Sequence, residues 1–450
     1  MTFTKLLGRT RRPRIPTSFP VLAVAVLLLS SITPRARGGV TFTNLFSFNG
    51  TNGANPISIM LGTDGTLYGT TSVGGSNGQG TVFRLTTEGV FTSLATFTGT
   101  NGSAPRGLAQ CTNGDFYGTT WYGGSNNLGT VFRMTADGVL TTAFSFDSTN
   151  GSYPFSGLVP GADGDFYGTA QQGGSGFGTV FRITPDGVFT LLFSFDGTNG
   201  SYPRNLVLAT DGGFYGSSDT VFRITSAGDL TNLFTFNATN GAFCAYGLIQ
   251  GTDGTLYGAT DGSVSGSTDT IFAITTNGAF STLFSFSGTN GSLPRRPVQH
   301  PDGNLYGVTG TGGTSGKGTL FQITPEGSLT TLIHFNGTNG ASPFSGLVLA
   351  DDGRLYGTTM AGGAFGSGTI FRLSVPMPPV FQSVAQTNGT LSLTWSAVAE
   401  QTYQLQYKTD LNQITWSNLG NEITATNGTA TASDAVGPGL QRFYRVGLLW

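Results

Sequence analysis

"TDGTLYGTTSVGGSNGQGTVFRLTTEGVFTSLATFTGTNG" spans Thr63–Gly102, and its parts return along the chain. NGDFYGTT begins at Asn113, ADGDFYGTA at Ala162 and DDGRLYGTT at Asp351. The tyrosine of the (L/F)YG triplet falls at Tyr68, Tyr117, Tyr167, Tyr215, Tyr257, Tyr306 and Tyr356, in steps of 49, 50, 48, 42, 49 and 50 residues. A near-constant period of this length marks stacked supersecondary units, each of which buries its apolar face only against a neighbour.

Inside a copy the pattern reads as four short strands. In the third, SGLVPG (Ser156–Gly161) leads through the Asp163-Gly164 turn into DFYGTA (Asp165–Ala170). The loop QQGGSGFG then gives TVFRIT (Thr179–Thr184), and the Asp186-Gly187 turn gives VFTLLFSF (Val188–Phe195). Asp-Gly between alternating apolar runs is a hairpin signal, because the turn needs positive φ. Pro105, Pro154 and Pro203 precede the first strand of their copies, where no ladder donor is lost. No apolar 3.6-residue period of useful length is present, which argues against helices. The coils of a parallel β-helix are usually shorter than this unit, so four antiparallel strands per copy point to a propeller blade.

The ends of the array complete one another. The seventh copy stops at GTIFRLSV (Gly368–Val375) with three strands, whereas GVTFTNLFSFNGTNG (Gly39–Gly53) is a fourth strand with no copy before it. Val40–Phe48 beside Thr369–Val375 would complete a seventh blade, which leaves no long unpaired edge. The expected fold is all-β: a seven-bladed β-propeller over residues 39–375, closed by its N-terminal strand. Phe83, Phe132, Phe181, Phe222, Phe272, Phe321 and Phe371 are expected to pack between blades. Gly69 and its equivalents are expected to let neighbouring sheets approach closely. Arg84, Arg133, Arg182, Arg223 and Arg372 read as structural ion pairs or, alternatively, as an anion-binding ring.

The run G.LYGTT..GG....GTVFR(I/L)T..G....L..F.GTNG resembles the GloVer (Gloeo/Verruco) tandem repeat of secreted bacterial proteins, over about residues 41–375. The fourth copy departs from it with FYGSSDTVF, which lacks the GG loop, and the fifth has Cys244 where Pro usually stands. The resemblance implies a secreted repeat protein and brings no catalytic residues with it. After SVPMPPV (Ser374–Val380) the composition changes. GTLSLTWSAV, TYQLQYKTD, ITWSNLG and QRFYRVGLLW, with Trp395, Tyr403, Tyr407 and Tyr444 as core candidates, resemble a fibronectin type III (Ig-like) β-sandwich over residues 376–450.

Composition narrows the function. Gly numbers 71 and charged residues are only 10%, yet aromatics reach 12%, so the glycines read as turn residues rather than disorder. Lys5, Arg9, Arg11, Arg12 and Arg14 precede the apolar VLAVAVLLL (Val21–Leu29), which is short for a membrane span. Residues 1–38 therefore read as a signal peptide, the rival being an uncleaved anchor, and the protein as secreted or held in a bacterial envelope. That segment holds seven of the 21 basic residues and no acidic ones, so the remainder carries 14 against 23, a net charge of −9. Such a balance argues against nucleic acid and against membrane contact other than through the signal peptide during export. Cys111 and Cys244 occupy non-equivalent positions and read as buried thiols rather than a disulfide.

No catalytic set emerges. His300 and His334 occupy drifted repeat positions, zinc ligands are lacking, and no cofactor motif is present. Most acidic residues sit in turns. A polysaccharide hydrolase or lyase would need converging carboxylates, and no such pair is identifiable. The loops vary more than the strands, which is where function is placed on a repeat scaffold. They offer Trp121, Tyr122, Tyr153, Tyr202, Phe243 and Tyr246. The interval from Tyr215 to Phe222 is seven residues against fifteen from Tyr68 to Phe83, so a notch is expected beside Tyr202, Arg204, Asp219 and Tyr246. Aromatic faces with Arg204 or Asp219 suit a glycan, or these rings simply cover blade junctions. Arg106, Arg204 and Arg295 each follow a proline, where they either capture an anion or cap loops. The expected role is an extracellular binding or scaffold module for a glycan or another extracellular protein.

Overall fold

The computed structural model describes residues 40–237, 243–262, 268–376, 379–435 and 442–449, without the side chains of 244 and 245. The expected signal peptide and the Cys244 thiol lie outside these residues; Cys111 is a free, partly buried thiol. Every regular element described is a β-strand. The chain divides into two compact units, one within Gly38–Met377 and one within Pro378–Trp450.

The larger unit contains seven small antiparallel sheets, one per copy. In the first, Ala54–Leu61, Leu67–Val73, Thr81–Leu85 and Phe91–Thr96 pair in chain order. The sixth and seventh have a first strand broken in two, as in Ser292–Pro294 and Val298–Gln299. The outer strand of the seventh sheet is Thr41–Ser47, which pairs antiparallel with Thr369–Ser374 from Thr41↔Ser374 to Ser47↔Thr369. Its register slips between Asn44 and Phe46, as the other outer pairs slip between Val82 and Phe83 or Val180 and Phe181. Phe46 stacks on Phe91 of the first sheet at 4.0 Å, as Phe144 stacks on Phe189 at 4.0 Å between the second and third.

Recurrent residues build each sheet. Tyr167 donates its hydroxyl to Asp163 (2.6 Å) and Tyr306 to Asp302 (2.7 Å), tying the second strand to the turn before it. Thr71 and Thr81 share a buried hydrogen bond at 2.9 Å that recurs at Thr120–Thr130, Thr309–Thr319 and Thr359–Thr369. The strand-three phenylalanines are fully buried. The reading of Gly69 is corrected: Gly69 sits opposite Phe83 in the same sheet. A Cβ on Gly69 would lie 2.4 Å from the Phe83 ring and 2.3 Å from the Ser58 carbonyl oxygen. The glycine makes room for a cross-strand aromatic ring, not for an adjacent sheet. Three of the five arginines after these phenylalanines pair with an aspartate: Arg133 with Asp115 at 2.6 Å, Arg223 with Asp211 at 3.3 Å and Arg182 with Asp165 at 3.5 Å.

Apolar clusters join successive sheets. Tyr68, Val82, Phe116 and Phe132 fill the space between the first two, and Tyr306, Leu320, Leu355 and Phe371 that between the last two. A further cluster joins the first sheet to the seventh through Phe48, Leu67, Phe83, Tyr356 and Ile370.

In the smaller unit, Phe381–Thr387, Thr390–Ser396 and Thr429–Ala435 form one sheet. Thr402–Lys408 pairs with Ser417–Asn418, Ile423–Thr424 and Phe443–Leu449 in another. Their alternate residues bury Leu393, Trp395, Tyr403, Leu405 and Tyr444 in one core, with Tyr407 partly buried beside it.

Candidate functional site

The segments around the start of the first strand are strained in the same way in six of the seven copies. The residue before the proline has positive φ in six copies: Asn55 (52°), Ala104 (52°), Tyr153 (56°), Tyr202 (53°), Leu293 (57°) and Ser342 (53°). Non-glycine residues hold this region only where the surroundings impose it. Here the amide of each is tied to the preceding copy. Ala104 N donates to Gln79 O (3.0 Å), Tyr153 N to Leu128 O (2.8 Å) and Tyr202 N to Phe177 O (2.7 Å). Leu293 N instead donates to the Asp269 carboxylate at 3.0 Å.

That geometry sets the residue after the proline. Arg106, Arg204 and Arg295 occupy it in the second, fourth and sixth copies, and Phe155 and Phe344 in the third and seventh. Arg106 packs in the corner formed by the rings of Trp121 (4.0 Å) and Phe155 (4.8 Å), which meet edge to face at 5.7 Å. Arg295 packs in the same way in the corner formed by Tyr246 (3.8 Å) and Phe344 (4.8 Å). Arg204 packs on Phe155 at 4.9 Å. Phe344 in turn reaches Phe155 at 6.4 Å and Tyr246 at 5.7 Å. Beyond Trp121, Tyr122 stacks at 5.1 Å and meets Tyr153 at 5.6 Å.

The expected aromatic and arginine residues thus form one connected cluster, except Tyr202 and Phe243; Asp219 also lies outside it. Phe155 and Phe344, at its centre, were not among the expected site residues. Aligning the seven strand entries would have found them, since they stand in the column that holds the arginines elsewhere.

Arg106 and Arg295 are buried, with 7% and 6% of their surface exposed. Burial, opposed by Tyr122 and reinforced by the charge of Arg204, pushes the Arg106 guanidinium down to about 10. Burial and then Arg204 push Arg295 down to about 9. A lowered value means that the charged form lacks the solvation it has in water.

A cleft of roughly 180 Å³ opens where the fourth copy is short, lined by Gln171, Tyr202, Arg204, Ser218, Phe243 and Asp261. Of the residues expected at the notch, Tyr202 and Arg204 line it, and Asp219 and Tyr246 do not. Asp219 is spent on its own loop: its carboxylate accepts from Ser201 N, Ser201 Oγ and Ser218 Oγ, all at 2.8 Å. Gln171 and Asp261 stand in the column that supplies Trp121 in the second copy, a sign that the sequence offered. Tyr202 is 42% exposed, so its ring has area left for a ligand to cover. Arg204 is common to the cleft and the arginine–aromatic cluster. His300 is engaged elsewhere, with Nδ1 3.2 Å from Asp302.

The Gloeobacter/Verrucomicrobia repeat matches this sequence over residues 29–220 and again over 217–429. No curated protein matches the chain. Among solved structures, puromycin hydrolase is similar at 14% identity and a TM-score of 0.48, over 78% of this chain and 60% of that one. This chain therefore spans less than two thirds of that enzyme. A putative 6-phosphogluconolactonase from Bacteroides uniformis is similar at 17% identity and a TM-score of 0.43, over 61% of this chain and 83% of that one. Its counterpart from Bacteroides fragilis gives 15% and 0.42, over 82% and 97%. At these identities and scores no activity carries across.

Proposed function

The chain belongs to the Gloeobacter/Verrucomicrobia repeat family, and we propose that its seven copies close into a seven-bladed β-propeller that binds a saccharide on its loop face. Closure is supported by the pairing of Thr41–Ser47 with Thr369–Ser374 and by the cluster that joins the first and seventh sheets. The reading extends to an exported protein, with residues 1–38 as its signal peptide and the C-terminal unit as a fibronectin type III-like spacer.

The observation that carries the binding reading is the cleft beside the fourth copy. It combines an exposed tyrosine ring with an amide, a hydroxyl, a carboxylate and a guanidinium. Sugars present apolar ring faces and a rim of hydroxyls, which such a lining meets with stacking and with donors and acceptors together. The alternative, a polysaccharide hydrolase or lyase, calls for two carboxylates across the scissile bond. Asp261 is the one carboxylate among the described lining residues, which favours binding over cleavage. A glycan-array screen of the exported chain, beside Tyr202→Ala, tests this. Selective binding that the variant loses supports the proposal; well-folded protein that retains no glycan overturns it.

A further inference from the structure

We propose that Arg106, Arg204 and Arg295 form a binding centre for a carboxylate, the acidic group of a small ligand whose body lies in the neighbouring cleft. The inference concerns the charge of the ligand and stands whether or not that ligand is a sugar.

The first ground is an unbalanced charge. Five other arginines of this chain are balanced by a carboxylate. Arg133, Arg182, Arg223, Arg354 and Arg442 each lie within ion-pair distance of an aspartate, between 2.5 and 3.6 Å. Arg106 and Arg295 are buried, and neither has such a partner among the described residues. Each guanidinium packs against two rings that stand nearly at right angles to one another, Trp121 and Phe155 at 87° and Tyr246 and Phe344 at 81°. Arg106 Nε and Arg295 Nη1 are buried without a hydrogen-bond partner, while Arg295 Nε donates to Pro343 O at 3.3 Å. Cation–π contact returns part of what desolvation removes, but it does not neutralise the charge.

The second ground is that the charges are gathered. Arg204 shares the Phe155 ring with Arg106, and its charge is felt at both Arg106 and Arg295. Like charges near one another in an apolar setting disfavour one another, and a bound anion reverses that sign. Shape selects the anion. A guanidinium edge meets a carboxylate in one plane with paired N–H···O bonds. A phosphate dianion would be penalised more heavily, because the cost of desolvating an ion rises steeply with its charge. Arg204 lines the cleft, which gives the ligand its approach.

The experiment has two parts on the full chain. Thermal unfolding is measured in sodium acetate and in sodium chloride at matched ionic strength. Titration calorimetry then compares D-galacturonate with D-galactose and with inorganic phosphate. Acetate should raise the unfolding temperature of the wild type by about 2 °C or more, and Arg295→Gln and Arg106→Gln should each lose that gain. Galacturonate should bind about tenfold or more tightly than galactose or phosphate, with the preference lost in either variant. If one variant fails to fold, the other and Arg295→Lys carry the comparison. No acetate-specific stabilisation of the wild type, stabilisation that survives in Arg295→Gln, or phosphate binding as tight as galacturonate overturns the proposal. Loss of neutral-sugar binding in Tyr202→Ala with the acetate response intact would separate the cleft from the carboxylate centre.

Discussion

Phe155 and Phe344 lie with their ring centroids 6.4 Å apart, although one enters the third sheet and the other the seventh. Sheets remote in sequence therefore turn their entry segments toward a common centre. Arg106 and Arg204 pack on Phe155, and Arg295 on Phe344, so the two rings hold the cluster together.

Phe344→Ala removes contacts with Phe155, Tyr246 and Arg295 at once. The side chain is only partly buried, so the expected loss is about 2 kcal/mol, below the range for a fully buried phenylalanine. Chemical denaturation checks it. A loss comparable to that of the fully buried Phe371→Ala would show a deeper core role than the geometry gives.

The N-terminal strand should be indispensable to the array. Phe42 stacks on Phe371 at 5.2 Å and meets Phe335 at 5.9 Å. Phe42→Ala should cost about 2 kcal/mol. Deleting residues 40–48 should do more, since it bares the edge of Thr369–Ser374. Gel filtration should then show self-association, and unfolding should broaden. A deletion that unfolds as sharply as the parent, at the same temperature, would contradict closure.

Backbone strain at the strand entries predicts opposite effects for two small changes. Ala104 has φ 52° with its amide held by Gln79 O. Ala104→Gly should be neutral or stabilising by up to about 1 kcal/mol, because relief of strain is set against added freedom in the unfolded chain. Ala104→Val should destabilise by about 1–2 kcal/mol, since a β-branched residue tolerates this region poorly. Thermal melts of the pair distinguish strain from simple loss of packing, which would make glycine the worse replacement.

Acid should act on the sixth copy through Asp302. Burial raises its pKa, but hydrogen bonds from His300, Tyr306 and Asn304 N outweigh burial and hold it at about 2, against the usual 3.8. A carboxylate lowered in this way contributes its full stability above the ordinary value and loses it as the pH falls through the folded one. The stability gap between wild type and Asp302→Asn should therefore narrow from about pH 4 towards pH 2. A gap that stays constant over that window would remove Asp302 from the account of acid sensitivity.

Much of this fold is legible locally. The Tyr167–Asp163 bond, the Thr71–Thr81 pair and the Asp-Gly turns all join residues within one copy, and each leaves a fixed spacing in the text. The glycine opposite each phenylalanine was seen but misread, since spacing shows that Gly69 must be small without showing what fills the space. In the site, Tyr202 and Arg204 were found at the shortened loop, because a deletion leaves a mark. Asp219 was misjudged: an aspartate beside a notch reads as a ligand group until its three internal donors are known.

The repeat, the strands, the turns and the strand that lacks a copy of its own are all readable from the amino-acid order, because they rest on short-range sterics and alternation. It took the packed molecule to show that Arg106 rests against Trp121 and Phe155, and Arg295 against Tyr246 and Phe344. Those contacts join neighbouring sheets and the Phe155–Phe344 contact joins distant ones, so they depend on how the copies pack around one another. No periodicity within a single copy records that arrangement.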